Sequence, residues 1–209
     1  MPTLSECLYV GFAKPSLDRL IFPLVHCYVL KKVFTRFFGD FDVCAWKETI
    51  AMTTGLPDFY TYNLWANLRL LDVCAQLSDA QLDATLGGTF GSVRETLMHI
   101  FSAEEGYVRH FTGIAPTPRL KEMSTFPGFD ELRRRAELSG RTLITIAEQG
   151  DLQQVFYLDD GTYEAPAIIV LIQAINHAID HRSQISTLLS QQGIEPPELD
   201  GWAYNDAQR

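Results

Sequence analysis

From Pro166 to Gln192 the chain is largely apolar and has no internal helix breaker, which predicts one long helix. Pro166 suits the first turn, where its missing N–H is not needed, and Gly193 suits the residue just past the end. At 3.6 residues per turn, Ile168, Ile172, Ile175 and Ile179 fall along one side. Val170, Gln173, Ala174, His177, His181, Gln184 and Leu188 fall along the other. Apolar residues on two sides predict a central, buried helix. The second side then carries histidines and glutamines through an interior, where polar groups need partners. His177 and His181 are separated by about 40° of rotation and roughly one turn of rise. That is the spacing at which one helix offers two imidazoles to one metal ion.

Other segments supply the packing partners. A first helix is expected from Asp58, as N-cap, to about Leu77. Ser78-Asp79-Ala80-Gln81 reads as a capping box opening a short helix that stops by Gly87-Gly88. A second capping box, Ser92-Val93-Arg94-Glu95, opens a second long helix, which Gly113 closes. His99 lies on this helix, and Ser92, Glu95, Ala103, Gly106 and His110 fall within about 40° of it. The small residues on that face allow another helix to come close. His110 is about 16 Å further along the axis, too far to share an ion with His99.

A proline-rich loop is expected from Ile114 to Phe129, then a third helix from about Asp130 to Gln149. Its first half, Glu131 to Glu137, is charged and predicts a solvated face; its second half is apolar, and Gly150 ends it. Val155 to Tyr163, with Asp160-Gly161 inside, predicts a β-hairpin. An irregular tail follows Gly193, with Leu199, Trp202 and Tyr204 docking on the bundle. Four long helices with one long crossover define an all-α four-helix bundle, with a small β-hairpin between the third and fourth helices.

The 209 residues carry a formal net charge of -9. An acidic chain without basic clusters is a poor electrostatic partner for nucleic acid. Residues 1–51 differ from the rest: they hold 6 of the 17 Lys and Arg but only 5 of the 26 Asp and Glu, and three of the four cysteines. The Phe34, Phe37, Phe38 and Phe41 cluster has no clean period. This segment is expected to be an N-terminal extension, from a mis-assigned start upstream of Met52 or as a hydrophobic arm, with the bundle domain over 52–209. The apolar run Leu20 to Leu30 is too short to span a bilayer, so no integral membrane segment is expected. Cys7, Cys27, Cys44 and Cys74 lack Cys-x-x-Cys spacing and read as reduced thiols of a cytoplasmic protein.

No His-Glu-x-x-His, Gly-x-Ser-x-Gly or P-loop pattern is present. Three imidazoles with an open fourth position would form a catalytic rather than a structural site. Such ligands do not choose between Zn, Ni, Fe and Mn. The bland alternative is a set of hydrogen-bonded core histidines, and the glutamines suit orienting roles.

The order of motifs resembles a known family. Leu97-Met98-His99-Ile100 is followed by Glu104, then by a hairpin. Next come Asn176-His177, His181-Arg182 and Gln184-Ile185, and a tail with Gly193-Ile194, Pro196-Pro197, Leu199-Asp200 and Tyr204. From about Met52 to the C-terminus this is similar to the DinB-like (damage-inducible) four-helix-bundle metalloproteins. The resemblance implies a divalent metal held by His99, His177 and His181. It also implies homodimers, and relatives that are thiol-dependent S-transferases, using thiols such as bacillithiol or mycothiol, or a thiol-dependent isomerase. Three readings follow. One is a transferase whose metal activates a low-molecular-weight thiol or water against an electrophile, with Gln184, Glu104 or Tyr204 as candidates to assist. Another is a non-catalytic metal-binding stress-response protein. The last is a plain bundle.

Overall fold

A computed structural model describes residues 55–209. The expectations for residues 1–51, with His26, Cys7, Cys27 and Cys44, lie outside the described residues. The elements are α1 (Leu56–Cys74), α2 (Asp79–Leu82), α3 (Val93–Thr112), α4 (Phe129–Gln149), β1 (Val155–Leu158), β2 (Tyr163–Pro166), α5 (Ala167–Gln191) and α6 (Gly201–Asp206).

The four long helices close a ring in which α1 packs on α4, α4 on α3, α3 on α5 and α5 on α1. This is the expected all-α bundle with its hairpin. Its main core is built by Leu70, Leu71, Leu97, Ile100, Phe101, Leu132, Ile185 and Leu188. The α1–α4 seam is close because residue 140 is glycine: a Cβ there would lie 2.7 Å from Leu64 Cδ1.

Local signals set the helix ends. Ser92 Oγ accepts from Glu95 N–H at 3.2 Å, and Glu95 Oε2 accepts from Ser92 N–H at 2.8 Å. Ser78 and Gln81 repeat the capping arrangement at α2. Gly113, with φ 70°, closes α3. The start of α1 differs from expectation. Gly55 is its N-cap and Asp58 sits at the third helical position, where Oδ2 accepts from Gly55 N–H at 3.1 Å. Pro57 fits inside the first turn, where its missing N–H costs no helical bond, so the helix begins before Asp58.

The hairpin pairs Val155 with Pro166 and Leu158 with Tyr163. Its turn is longer than a two-residue Asp-Gly turn: Asp159, Asp160 and Gly161 all take positive φ, at 50°, 56° and 84°. Short acidic side chains tolerate that region better than most.

Two expectations about burial fail. The isoleucine side of α5 is not buried: Ile172 is 52% and Ile179 41% exposed. A helix in a four-membered ring has two neighbours, here α1 and α3, and their contact covers Val170, Leu171, Ala174, Ala178 and Ile185. So α5 is an ordinary member of the ring rather than a central helix, and its histidines line a half-buried groove rather than an interior. The charged half of α4 is also not wholly solvated. Arg135 is buried and donates to Glu105 Oε1 at 2.7 Å and to the Pro118 carbonyl at 3.0 Å, while Glu105 Oε2 accepts from Leu120 N–H at 2.8 Å. These bonds tie the 114–128 crossover, including a 3₁₀ turn over Leu120–Glu122, onto α3 and α4.

The tail is more ordered than expected, because Asp200 caps α6 by accepting from Trp202 N–H and Ala203 N–H at 3.0 and 2.9 Å. Tyr204 packs on Tyr62 and Trp65, with ring centroids 5.7 and 5.3 Å apart. Trp202, expected to dock, is 81% exposed. Among the described residues no helix is long and apolar enough to cross a membrane.

Candidate metal centre

Helix α3 carries His99 and helix α5 carries His177 and His181, and the α3–α5 seam brings them together. One ring nitrogen from each histidine lies within 4.8 Å of the other two. His99 Nε2 and His177 Nε2 are 2.9 Å apart. The centroid of the His181 ring is 4.6 Å from that of His99 and 4.5 Å from that of His177. At 2.9 Å at least one of the two Nε2 atoms must lack a proton, so this contact already demands a neutral imidazole.

Electrostatics act in the same direction. Burial, then the neighbouring His181 and His99, push His177 down to about 4. Burial and His181 also lower His99. Neutral imidazoles are the form that binds a metal ion, and burial beside the neighbouring histidines favours that form at His99 and His177.

Gln184, one turn beyond His181, organises the rim. Its Oε1 accepts from Phe90 N–H at 2.8 Å and lies 3.2 Å from His181 Nδ1. With Nδ1–H donating to this oxygen, His181 Nε2 keeps its lone pair for the centre. The same bond to Phe90 pins the α2–α3 connection, so the Phe90 ring stacks on His99 at 3.9 Å and 17°. All three histidines are half-buried, so the group is open on one side. Three convergent imidazole nitrogens with an accessible side fit a divalent ion that keeps an exchangeable position.

The other candidates lie elsewhere. His110 is outside the triad and approaches Phe156, with centroids 6.3 Å apart. Tyr204 stands on Tyr62 and Trp65. Glu104 is buried in the bundle, where Asn63 and Asn67 donate to Oε1 at 3.1 and 2.7 Å and Ser139 donates to Oε2 at 2.8 Å. Desolvation raises its pKa against those bonds. Arg182, next to His181 in sequence, joins the same network, and its Nη2 has no hydrogen-bond partner among the described residues. Sequence reasoning missed Asn63, Asn67 and Ser139. The available signal was two amides four apart on the inner face of an apolar helix. It also missed Phe90, whose role depends on a tertiary bond.

Fold and site together define a four-helix-bundle protein with a three-histidine cluster open at the seam of two helices. The chain belongs to the DinB family, whose sequence profile matches residues 52–209. It is similar to "Protein DinB" of Bacillus subtilis (strain 168), at 23% identity over 155 residues, covering 69% of this chain and 90% of that relative.

Proposed function

We propose that His99, His177 and His181 hold one divalent metal ion, and that the protein is a transferase directing a low-molecular-weight thiol against an electrophile. The observation that carries this reading is the convergence of three imidazole nitrogens within 4.8 Å, from helices that share no local sequence. A divalent ion there lowers the pKa of a thiol, or of water, and so supplies a nucleophile near neutral pH.

The chain's own residues do the rest. His99 and His177 are kept unprotonated by burial and mutual repulsion. Gln184 fixes the His181 tautomer, and Phe90 covers one face of His99 and shields it from water. In the transfer, sulfur bonds to the electrophilic carbon, the carbon–leaving-group bond breaks with its electron pair, and the thiol proton passes to solvent. A sealed structural ion is the competing, non-catalytic reading. The half-exposed triad supports the exchangeable site instead, and the buried Glu104 network joins the helices without recourse to metal.

The same reading takes residues 52–209 as the functional domain of a cytoplasmic protein, supported by the extent of the family match. A homodimer is supported by the exposed Ile169, Ile172 and Ile179 on α5. The test is elemental analysis of purified protein and of His181→Ala, followed by a thiol panel against a generic electrophile. Stoichiometric metal lost in the variant, together with thiol-dependent turnover, is the expected result. Equal activity without metal would sink the reading.

A further inference from the structure

One cavity reaches the histidine cluster through His99, and a second lies beyond His177 with none of the three histidines in its lining. On the His99 side a groove of about 420 Å³ lies between α3 and the 120–126 part of the crossover. Phe90, Met98, Leu120, Met123 and Phe126 wall it beside His99. The remaining lining is polar: Ser102, Lys121, Ser124 and Thr125 join Arg94, which is held by Asp79 and Asp83 at 2.9 and 2.8 Å, and Glu95, which caps α3. Across the cluster, a cavity of about 240 Å³ near His177 is lined by Tyr107, His110, Tyr163 and Gln173 among other residues. The Tyr107 ring centroid is 6.1 Å from that of His177.

We propose that the groove on the His99 side is the subsite for a flat, aromatic body of the electrophile. This rests on the transferase reading above. The chemistry of the walls makes the choice. Methionine sulfur and aromatic faces attract an aromatic ring, and Met98 and Met123 adapt in shape to it. The groove's position is also fixed. The Glu105–Leu120 and Arg135–Pro118 bonds hold the crossover against α3, and Gln184 holds Phe90 over His99. An aromatic ring seated there meets the centre from the His99 side.

The chain has four methionines, so methyl-labelled methionine NMR reads the groove directly. The probe is thioanisole, a neutral aryl thioether, titrated into Zn²⁺-loaded full-length protein. The expected result is a saturable shift of the Met98 and Met123 methyl signals, assigned with Met98→Leu and Met123→Leu. With Co²⁺ in place of Zn²⁺, the bound probe's ring protons acquire paramagnetic shifts. Met123→Trp fills the groove and abolishes the probe's effect while retaining the metal. No shift, a shift that does not saturate, or undiminished binding to Met123→Trp overturns the subsite. A distinct outcome tests the parent reading. Wild-type protein that takes up no metal, yet shows the Met98 and Met123 shifts, overturns the metal-dependent transferase and leaves an aromatic-binding groove.

Discussion

Glu104 and Arg182 are both buried, on the two helices that supply the histidines, and they are joined through Asn63 and Asn67 rather than directly. Each amide donates to Glu104 Oε1 and accepts from Arg182 Nη1, at 2.6 Å for Asn63 and 2.7 Å for Asn67. Ser139 completes the carboxylate from α4, so the network reaches all four long helices. Removing one charge leaves the other buried without compensation. Glu104→Ala is therefore expected to lower unfolding free energy by about 3–5 kcal/mol. Glu104→Gln, which keeps volume and one acceptor, should cost less. Urea denaturation of the two variants checks the order, and equal stability of Glu104→Ala and wild type would contradict it.

Metal retention depends on each histidine. His99→Ala, His177→Ala and His181→Ala should each bring bound metal below stoichiometric levels in elemental analysis while the helical circular dichroism is kept. Gln184→Ala removes only the partner of His181 Nδ1. It is expected to weaken metal affinity by about 10–100-fold, measured by competition with a chromophoric chelator. An unchanged affinity would show that Gln184 does not orient its ligand.

Acidification has a definite sign. His177 is depressed from 6.5 to about 4 in the folded, metal-free protein. Its neutral form therefore contributes stability that is fully present above pH 6.5 and is lost as pH falls toward about 4. Metal-free wild-type protein should lose Tm across that window more steeply than His177→Gln. Parallel Tm curves for the two proteins would count against a depressed His177.

The α3 cap can be tested independently of the site. Ser92→Ala leaves Glu95 N–H without its acceptor and should cost about 1 kcal/mol. Thermal unfolding of metal-free protein measures this without interference from the ion.

Ile172 and Ile179 are exposed on the outer side of α5. If that side pairs two copies, Ile172→Asp with Ile179→Asp should convert the dimer to monomer in sedimentation velocity at unchanged helicity. A wild-type monomer at micromolar concentration removes the basis for the dimer.

Legibility from sequence followed the range of the interaction. The Ser78 and Ser92 caps, Gly113 and the long helix after Pro166 depend on neighbours within a turn, and all were readable. The Asp58 cap misread a local competition, because Pro57 is itself acceptable inside the first turn. The two-sided apolarity of α5 predicted burial that two packing neighbours do not provide. Trp202 looked like an anchor by type, yet Tyr204 takes that place on Tyr62 and Trp65.

By itself the sequence determined that the chain forms long helices with set ends, and that His177 and His181 share a helix face. Backbone geometry enforces both within a few residues. Only the tertiary structure decided that His99 reaches them, that Gln184 joins His181 to Phe90, and that Glu104 serves the bundle core instead of the centre. Each of these depends on which helix faces pack together, a long-range outcome that no local pattern encodes.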